Sequence, residues 1–331
     1  MTQHRWIIVA LALSLFWLLL ADAAQKSAKI PRVGVLEPGF PPTVTPRRCL
    51  EFFQQGLGDL GYREGQNIVL EYRYGEFKPD RLPGLAADLV QRQPDVLWTN
   101  SNRTAQMLKQ ATTTLPIVVG ASSDLEEYGL VESLARPGGN LTGLDARTFA
   151  LTSKRLELLK DAVPQITRVA VLVDSAGPFS ARIPGAFERE AQALGIHLLR
   201  VEAGDPGAFD AAFAAMEEQR ADALVLMDSP MFSVHSHRLA GLALAHRLPT
   251  IGGGTRALAE AGLLIIYGAN APDLCRRSAL YVDKILKGTT PGDLPIEQPT
   301  KFELIINLKT AQALGLTLPP TLLFQADELI K

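Results

Sequence analysis

Asp228 follows the apolar run Ala223–Met227, so a carboxylate stands where a buried strand would end. That position suits an acceptor for a ligand amine, and it equally suits a cap for a helix starting ahead of Met231. Asp124 poses the same choice in Ser122-Ser123-Asp124-Leu125, where Ser122 and Ser123 add hydroxyls after the strand-like Pro116–Val119. Ser101 and Asn102 follow another such strand, Asp95–Trp98, and open a helical stretch. Hydroxyl and amide groups beside the free N–H groups of a helix start can cradle a carboxylate, or simply cap the helix. Tyr267 and Phe40 are candidate stacking surfaces for a flat or apolar solute, with plain core as the alternative. In Gly252-Gly253-Gly254, Gly253 permits close backbone approach, but the run lacks the strand and helix context of a dinucleotide fingerprint.

Covalent and metal chemistry have less to stand on. In His235-Ser236-His237 two histidines two apart on a helix point about 200° away from each other and cannot share an ion. On the helix through Leu239 and Leu242 they are expected to face solvent. Cys49 and Cys275 are too few for a disulfide scaffold or a four-cysteine zinc site. They are read as unpaired thiols, small hydrophobes in the core. With neither GxSxG nor a P-loop in the chain, no catalytic residue, metal or cofactor is expected.

The elements that must position these groups begin after residue 23. His4 and Arg5 precede an apolar stretch, Ile7–Leu20, broken only by Ser14, and Ala21-Asp22-Ala23 offers small residues for cleavage after Ala23. About 15 apolar residues fall short of the roughly 20 that cross a bilayer, so a cleaved secretory signal and a soluble protein outside the cytoplasm are expected, with a retained anchor as the alternative. The 331 residues carry 33 Lys+Arg against 35 Asp+Glu, and no long basic run marks a nucleic-acid surface.

Beyond the signal, strands alternate with helices, which requires crossover connections and a mostly parallel sheet covered on both faces. The pattern then repeats. Arg168–Leu172 echoes Arg32–Leu36, Asp222-Ala223-Leu224 echoes Asp95-Val96-Leu97, and Pro249 echoes Pro116, in one order. The fold class is therefore α/β with two Rossmann-like lobes: residues 30–146 with 268–298, and residues 147–267 with 299–331. Hinges are expected after Leu141–Leu144 and near Tyr267–Pro272, with a third crossing in Gly288–Thr300. Ligands of open α/β sheets bind beyond the carboxyl ends of the strands, which places the default site in the cleft between lobes.

Longer motifs go beyond the fold. Leu134-Ala135-Arg136-Pro137-Gly138-Gly139-Asn140-Leu141-Thr142-Gly143, Lys154-Arg155-Leu156-Glu157-Leu158-Leu159, Tyr281–Gly288 and Leu294–Leu304 resemble a family of ABC-transporter substrate-binding proteins. The resemblance spans Arg32 to Lys331. It implies a periplasmic binding protein of type I architecture, a monomer that captures a small solute and delivers it to a membrane permease, and the family includes binders of aromatic amino acids. Where the family usually shows a Gly-Thr pair this chain has Ser101-Asn102, and where it more often has Asp-Pro this chain has Asp124-Leu125. The alternatives are a ligand-sensing domain for a signalling partner and a secreted enzyme.

Overall fold

Val33, Val35 and Leu36 are fully buried in strand β1 (Arg32–Glu37), which pairs in parallel with a neighbour on each side. A strand covered on both faces needs a continuous apolar run rather than alternation, and the runs within Arg32–Leu36, Val96–Trp98, Arg168–Leu172 and Ala223–Leu226 form inner strands. The structure is a computed structural model that describes residues 29–41, 49–175, 183, 185–254 and 256–331. The segment read as a signal, residues 1–23, lies outside the described residues.

The first lobe continues with α1 (Cys49–Asp59), β2 (Val69–Tyr74), α2 (Leu82–Gln91), β3 (Val96–Thr99), α3 (Asn102–Ala111), β4 (Ile117–Ser122) and β5 (Leu141–Asp145). The second holds α4 (Thr148–Ala162), β6 (Arg168–Asp174), α5 (Gly185–Ala193), β7 (His197–Ala203), α6 (Phe209–Glu218), β8 (Ala223–Leu226), α7 (Pro230–Val234), α8 (Ser236–Ala245), β9 (Thr250–Gly252), α9 (Arg256–Glu260) and β10 (Ile265–Ala269). Then α10 (Ala271–Leu286) precedes β11 (Phe302–Asn307), α11 (Leu308–Ala313), α12 (Pro320–Gln325) and β12 (Glu328–Ile330).

The first sheet runs β2-β1-β3-β4-β5, all parallel, and the second runs β7-β6-β8-β9-β10 in the same relative order. The second then adds β11, antiparallel to β10, and β12 beside it. Equivalent residues do equivalent work. Asp95 Oδ2 accepts from the Arg32 amide at 2.8 Å and Asp222 Oδ2 from the Arg168 amide at 2.9 Å, so each carboxylate ties the start of one central strand to its neighbour. Apolar clusters cover both faces of both sheets.

The chain passes between lobes at residues 146–147, at Asn270, and before β11. After the second passage α10 returns to the first lobe, where Tyr281, Val282 and Ile285 join the cluster of Phe53 and Trp98. Trp98 stacks on Phe53 at 4.3 Å and donates to Ser278 Oγ at 2.9 Å. The proline-bearing segment then follows β5: Thr142 Oγ1 donates to the Leu294 carbonyl (2.7 Å), and the Asp145 amide to that of Glu297 (2.9 Å).

This path overturns the reading of the cysteines as unpaired. Cys49 in α1 and Cys275 in α10 form a disulfide with Cα atoms 5.2 Å apart. Their separation of 226 residues says nothing about distance in space, because α10 packs lengthwise on the helix that opened the lobe.

Candidate functional site

A cavity of about 570 Å³ lies between the lobes, of the size that takes a small molecule. The carboxyl ends of strands from both sheets open onto it, as the direction of parallel strands dictates. Glu37 ends β1 and Asn100 follows β3 on one wall, and Asp174 ends β6 and Asp228 follows β8 on the other.

On the first-lobe wall, Ser101 caps α3, its Oγ accepting from the Thr104 amide at 3.2 Å. Asn102 braces the neighbouring loop instead of pointing a free amide at the cavity. Its Nδ2 donates to the Ser123 carbonyl at 2.6 Å, while its Oδ1 accepts from the Ser123 amide and the Ser122 hydroxyl. Asn100 Oδ1 is buried on the same wall with no hydrogen-bond partner among the described residues, an acceptor left for whatever enters. Phe77 also lines the cavity and packs against the second-lobe core. It sits in the left-handed region (φ +54°), costly for a bulky residue, and is held there by the hydrogen bond its amide donates to the Pro38 carbonyl at 2.8 Å.

On the second-lobe wall, Thr148, Leu151 and Arg155 share one face of α4 by their spacing, and all three line the cavity. Arg155 is 1% exposed. Its Nη1 donates to Asp228 Oδ2 and its Nε to the Tyr267 carbonyl, both at 2.8 Å. Asp228 is released for this pairing because the adjacent Ser229 caps α7, accepting from the Met231 amide at 3.1 Å. Ser229 also donates to Asp174 Oδ2.

Of the residues singled out in the sequence, Ser101, Asn102, Ser122, Ser123 and Asp228 line the cavity; Phe40, Asp124, Gly253 and Tyr267 are not among its lining residues. Phe40 meets Phe77 edge-on at 5.7 Å. The Tyr267 ring packs toward Phe302 and the second-lobe core. Gly253 makes room for protein rather than ligand, since a Cβ there would collide with the Arg155 guanidinium. His237, expected to face solvent, is exposed and yet part of the cavity wall, because helix α8 starts at the rim. His235 sits between the two short helices against Phe209, where burial, then Arg238, lowers its pKa. Arg155 and Phe77 were missed. The spacing 148-151-155 was the readable signal for Arg155, while nothing in the sequence marks Phe77.

Asp124 ties the lobes together at the first crossing. Its amide donates to Asp145 Oδ1 (2.8 Å), and its own Oδ2 accepts from the Phe149 amide in the first turn of α4 (3.0 Å). Beside it Ser123 Oγ meets Thr148 Oγ1 at 2.6 Å. Burial first, then the charges of Asp145, Glu127 and Asp228, against the Phe149 hydrogen bond, push the Asp124 carboxyl up to about 7. An acid whose native pKa exceeds its unfolded value holds an extra proton in the native state, so stability is lost as pH climbs from about 4 to about 7. Asp124→Asn keeps the acceptor and removes the charge. Its advantage over the parent in chemical unfolding is expected to grow across that window to about 2–4 kcal/mol at pH 8. A difference that does not vary with pH counts against this account.

A family model described as "ABC transporter substrate binding protein" matches residues 48–330. The chain belongs to this family. The binding protein is 24% identical over 264 residues to a tyrosine-binding protein of Clostridioides difficile (strain R20291), covering 80% of this chain and 75% of the relative. It superposes on the solved domain from Streptococcus pneumonia in complex with L-Trp with a TM-score of 0.82 at 23% identity, covering 91% of this chain and 99% of that one. The leucine binding protein LivK of Thermotoga maritima shares the fold at a TM-score of 0.55 and 14% identity, over 79% and 77% of the two chains. The architecture is that of type I periplasmic binding proteins, and these neighbours are binding proteins.

Proposed function

We propose that this binding protein, exported and cleaved after Ala23, works as a periplasmic monomer that captures an amino acid between its lobes and delivers it to an ABC permease in the inner membrane. The observation that carries the reading is the cavity itself, walled by strand ends of both sheets and carrying Asp228 opposite the start of α3. A zwitterion fits such a site: its ammonium meets Asp228 and its carboxylate meets Ser101 and the first turn of α3, where helix N–H groups favour an anion. Phe77 takes the stacking role first considered for Phe40 and Tyr267. The names of the relatives, one a tyrosine-binding protein and one solved with L-Trp, favour an aromatic side chain.

Capture proceeds by hinge closure, the solute stabilising the closed form through contacts to both lobes. The lobes, residues 30–146 with 268–298 and 147–267 with 299–331, would rotate about the three passages, with Ser123–Thr148 and Asp124–Phe149 close to the axis. A disulfide inside the fold supports export, since such bonds persist in oxidising compartments.

The test is thermal unfolding and calorimetry of the mature protein with L-tyrosine and L-tryptophan. A ligand at a hundredfold excess over its dissociation constant adds about 2.7 kcal/mol, which raises the midpoint by several degrees. No shift with either amino acid, together with a shift from a sugar or an organic acid, refutes the amino-acid reading.

A further inference from the structure

Arg155 occupies a position where an arginine is costly. A guanidinium that is 1% exposed has given up its hydration, and a buried pair seldom improves stability over apolar side chains of similar volume. The surrounding sequence nevertheless makes room for it. A Cβ at Gly253 would collide with the guanidinium and with Asp228 Oδ1, so this glycine makes room for both members of the pair, and a Cβ at Gly268 would touch Arg155 Nη2 at 3.5 Å. Two hydrogen bonds fix Arg155 from both ends of its head group: Nε to the Tyr267 carbonyl of β10, and Nη1 to Asp228 Oδ2. Ser229 performs the capping of α7 that would otherwise draw Asp228 away. As a result Asp228 has one oxygen engaged, while no donor among the described residues reaches Oδ1, and its side chain, 28% exposed, stands on the cavity wall.

We infer that Arg155 is a positioning residue that locks Asp228 by one carboxylate oxygen so that the other receives the primary ammonium of the solute, making this pair the element that selects amine-bearing solutes over their deaminated counterparts. The inference deepens the amino-acid reading above and rests on it for the identity of the probe. A carboxylate that can rotate spreads its acceptor sites over several directions, whereas one held at one oxygen by a guanidinium that its second bond to the Tyr267 carbonyl keeps in place presents the other oxygen over a narrower range.

The experiment compares the full mature protein with Arg155→Met and Arg155→Lys. Calorimetry uses L-tyrosine and L-tryptophan against 3-(4-hydroxyphenyl)propionate and indole-3-propionate, which lack only the amine. The parent is expected to prefer each amino acid by about 100-fold, the range of a hydrogen bond between charged groups. Arg155→Met is expected to cut that preference to about 10-fold or less, and Arg155→Lys to restore part of it, since a lysine keeps the charge but not the fork. A purely structural arginine would weaken both members of each pair equally; an unchanged ratio therefore overturns the inference. A crystal structure of ligand-free Arg155→Met supplies a readout independent of any ligand. There the Asp228 carboxylate is expected to leave its present rotamer, and a carboxylate that stays in place overturns the inference as well. Failure of the parent protein to bind either amino acid would reject the amino-acid reading, and the rotamer of Asp228 would then decide the positioning role alone.

Discussion

Replacing Cys49 and Cys275 together with alanine is expected to lower the unfolding free energy by about 2–5 kcal/mol, the range for removing a native disulfide. The expectation follows from chain connectivity. The bond closes a loop of 226 residues that contains the whole second-lobe segment from α4 to β10, so in the unfolded chain it removes much of the freedom that folding must otherwise overcome. In the folded protein it joins α1 to α10 inside the first lobe, next to Trp98 and Ser278, where Cys275 is 1% exposed. Both cysteines also line the cavity, so the first-lobe wall should loosen along with the lobe. Denaturant unfolding with and without reductant checks the effect: reductant should lower the midpoint of the parent protein and leave the alanine pair unmoved. Equal midpoints for the parent in both conditions would show that the bond does not form in solution.

The same bond shows where sequence reading stopped. Asp95 and Asp222 were legible as landmarks because each does a local job, receiving the amide that starts a neighbouring strand, and local jobs leave local patterns. The duplicated strand order was legible for the same reason, since alternating strands and helices constrain one another step by step. The cysteines left no such mark. Their meeting depends on α10 leaving one lobe's chain path and returning to the other, a property of the third dimension. Asp228 fell between these cases. Its place after a strand was correct, yet two adjacent residues could cap α7, and only the structure assigns that bond to Ser229. Asn102 and Ser122 were expected at the site and do line it, but their polar atoms are used in holding each other. Gly253 was read as an approach for ligand, whereas its missing Cβ is filled by an arginine from a helix about a hundred residues earlier.

Asp228→Ala is expected to weaken binding of an amino-acid solute by about 1.5–3 kcal/mol, roughly 10- to 150-fold, the worth of a hydrogen bond to a charged partner. The alanine variant removes two things at once. The solute loses its acceptor, and Arg155 is left buried with the Tyr267 carbonyl still accepting from its Nε. An uncompensated buried charge destabilises strongly, although the opening of Asp228 to the cavity lets water enter and moderates the cost. The two consequences separate in Asp228→Asn, which keeps an oxygen for Arg155 and loses the charge. If the carboxylate binds an ammonium, the asparagine variant should regain most of the thermal stability and little of the affinity. Should calorimetry find the affinity of both variants equal to that of the parent, Asp228 does not touch the solute, and the ammonium must be sought at another acidic group of the wall, such as Asp174 at the end of β6.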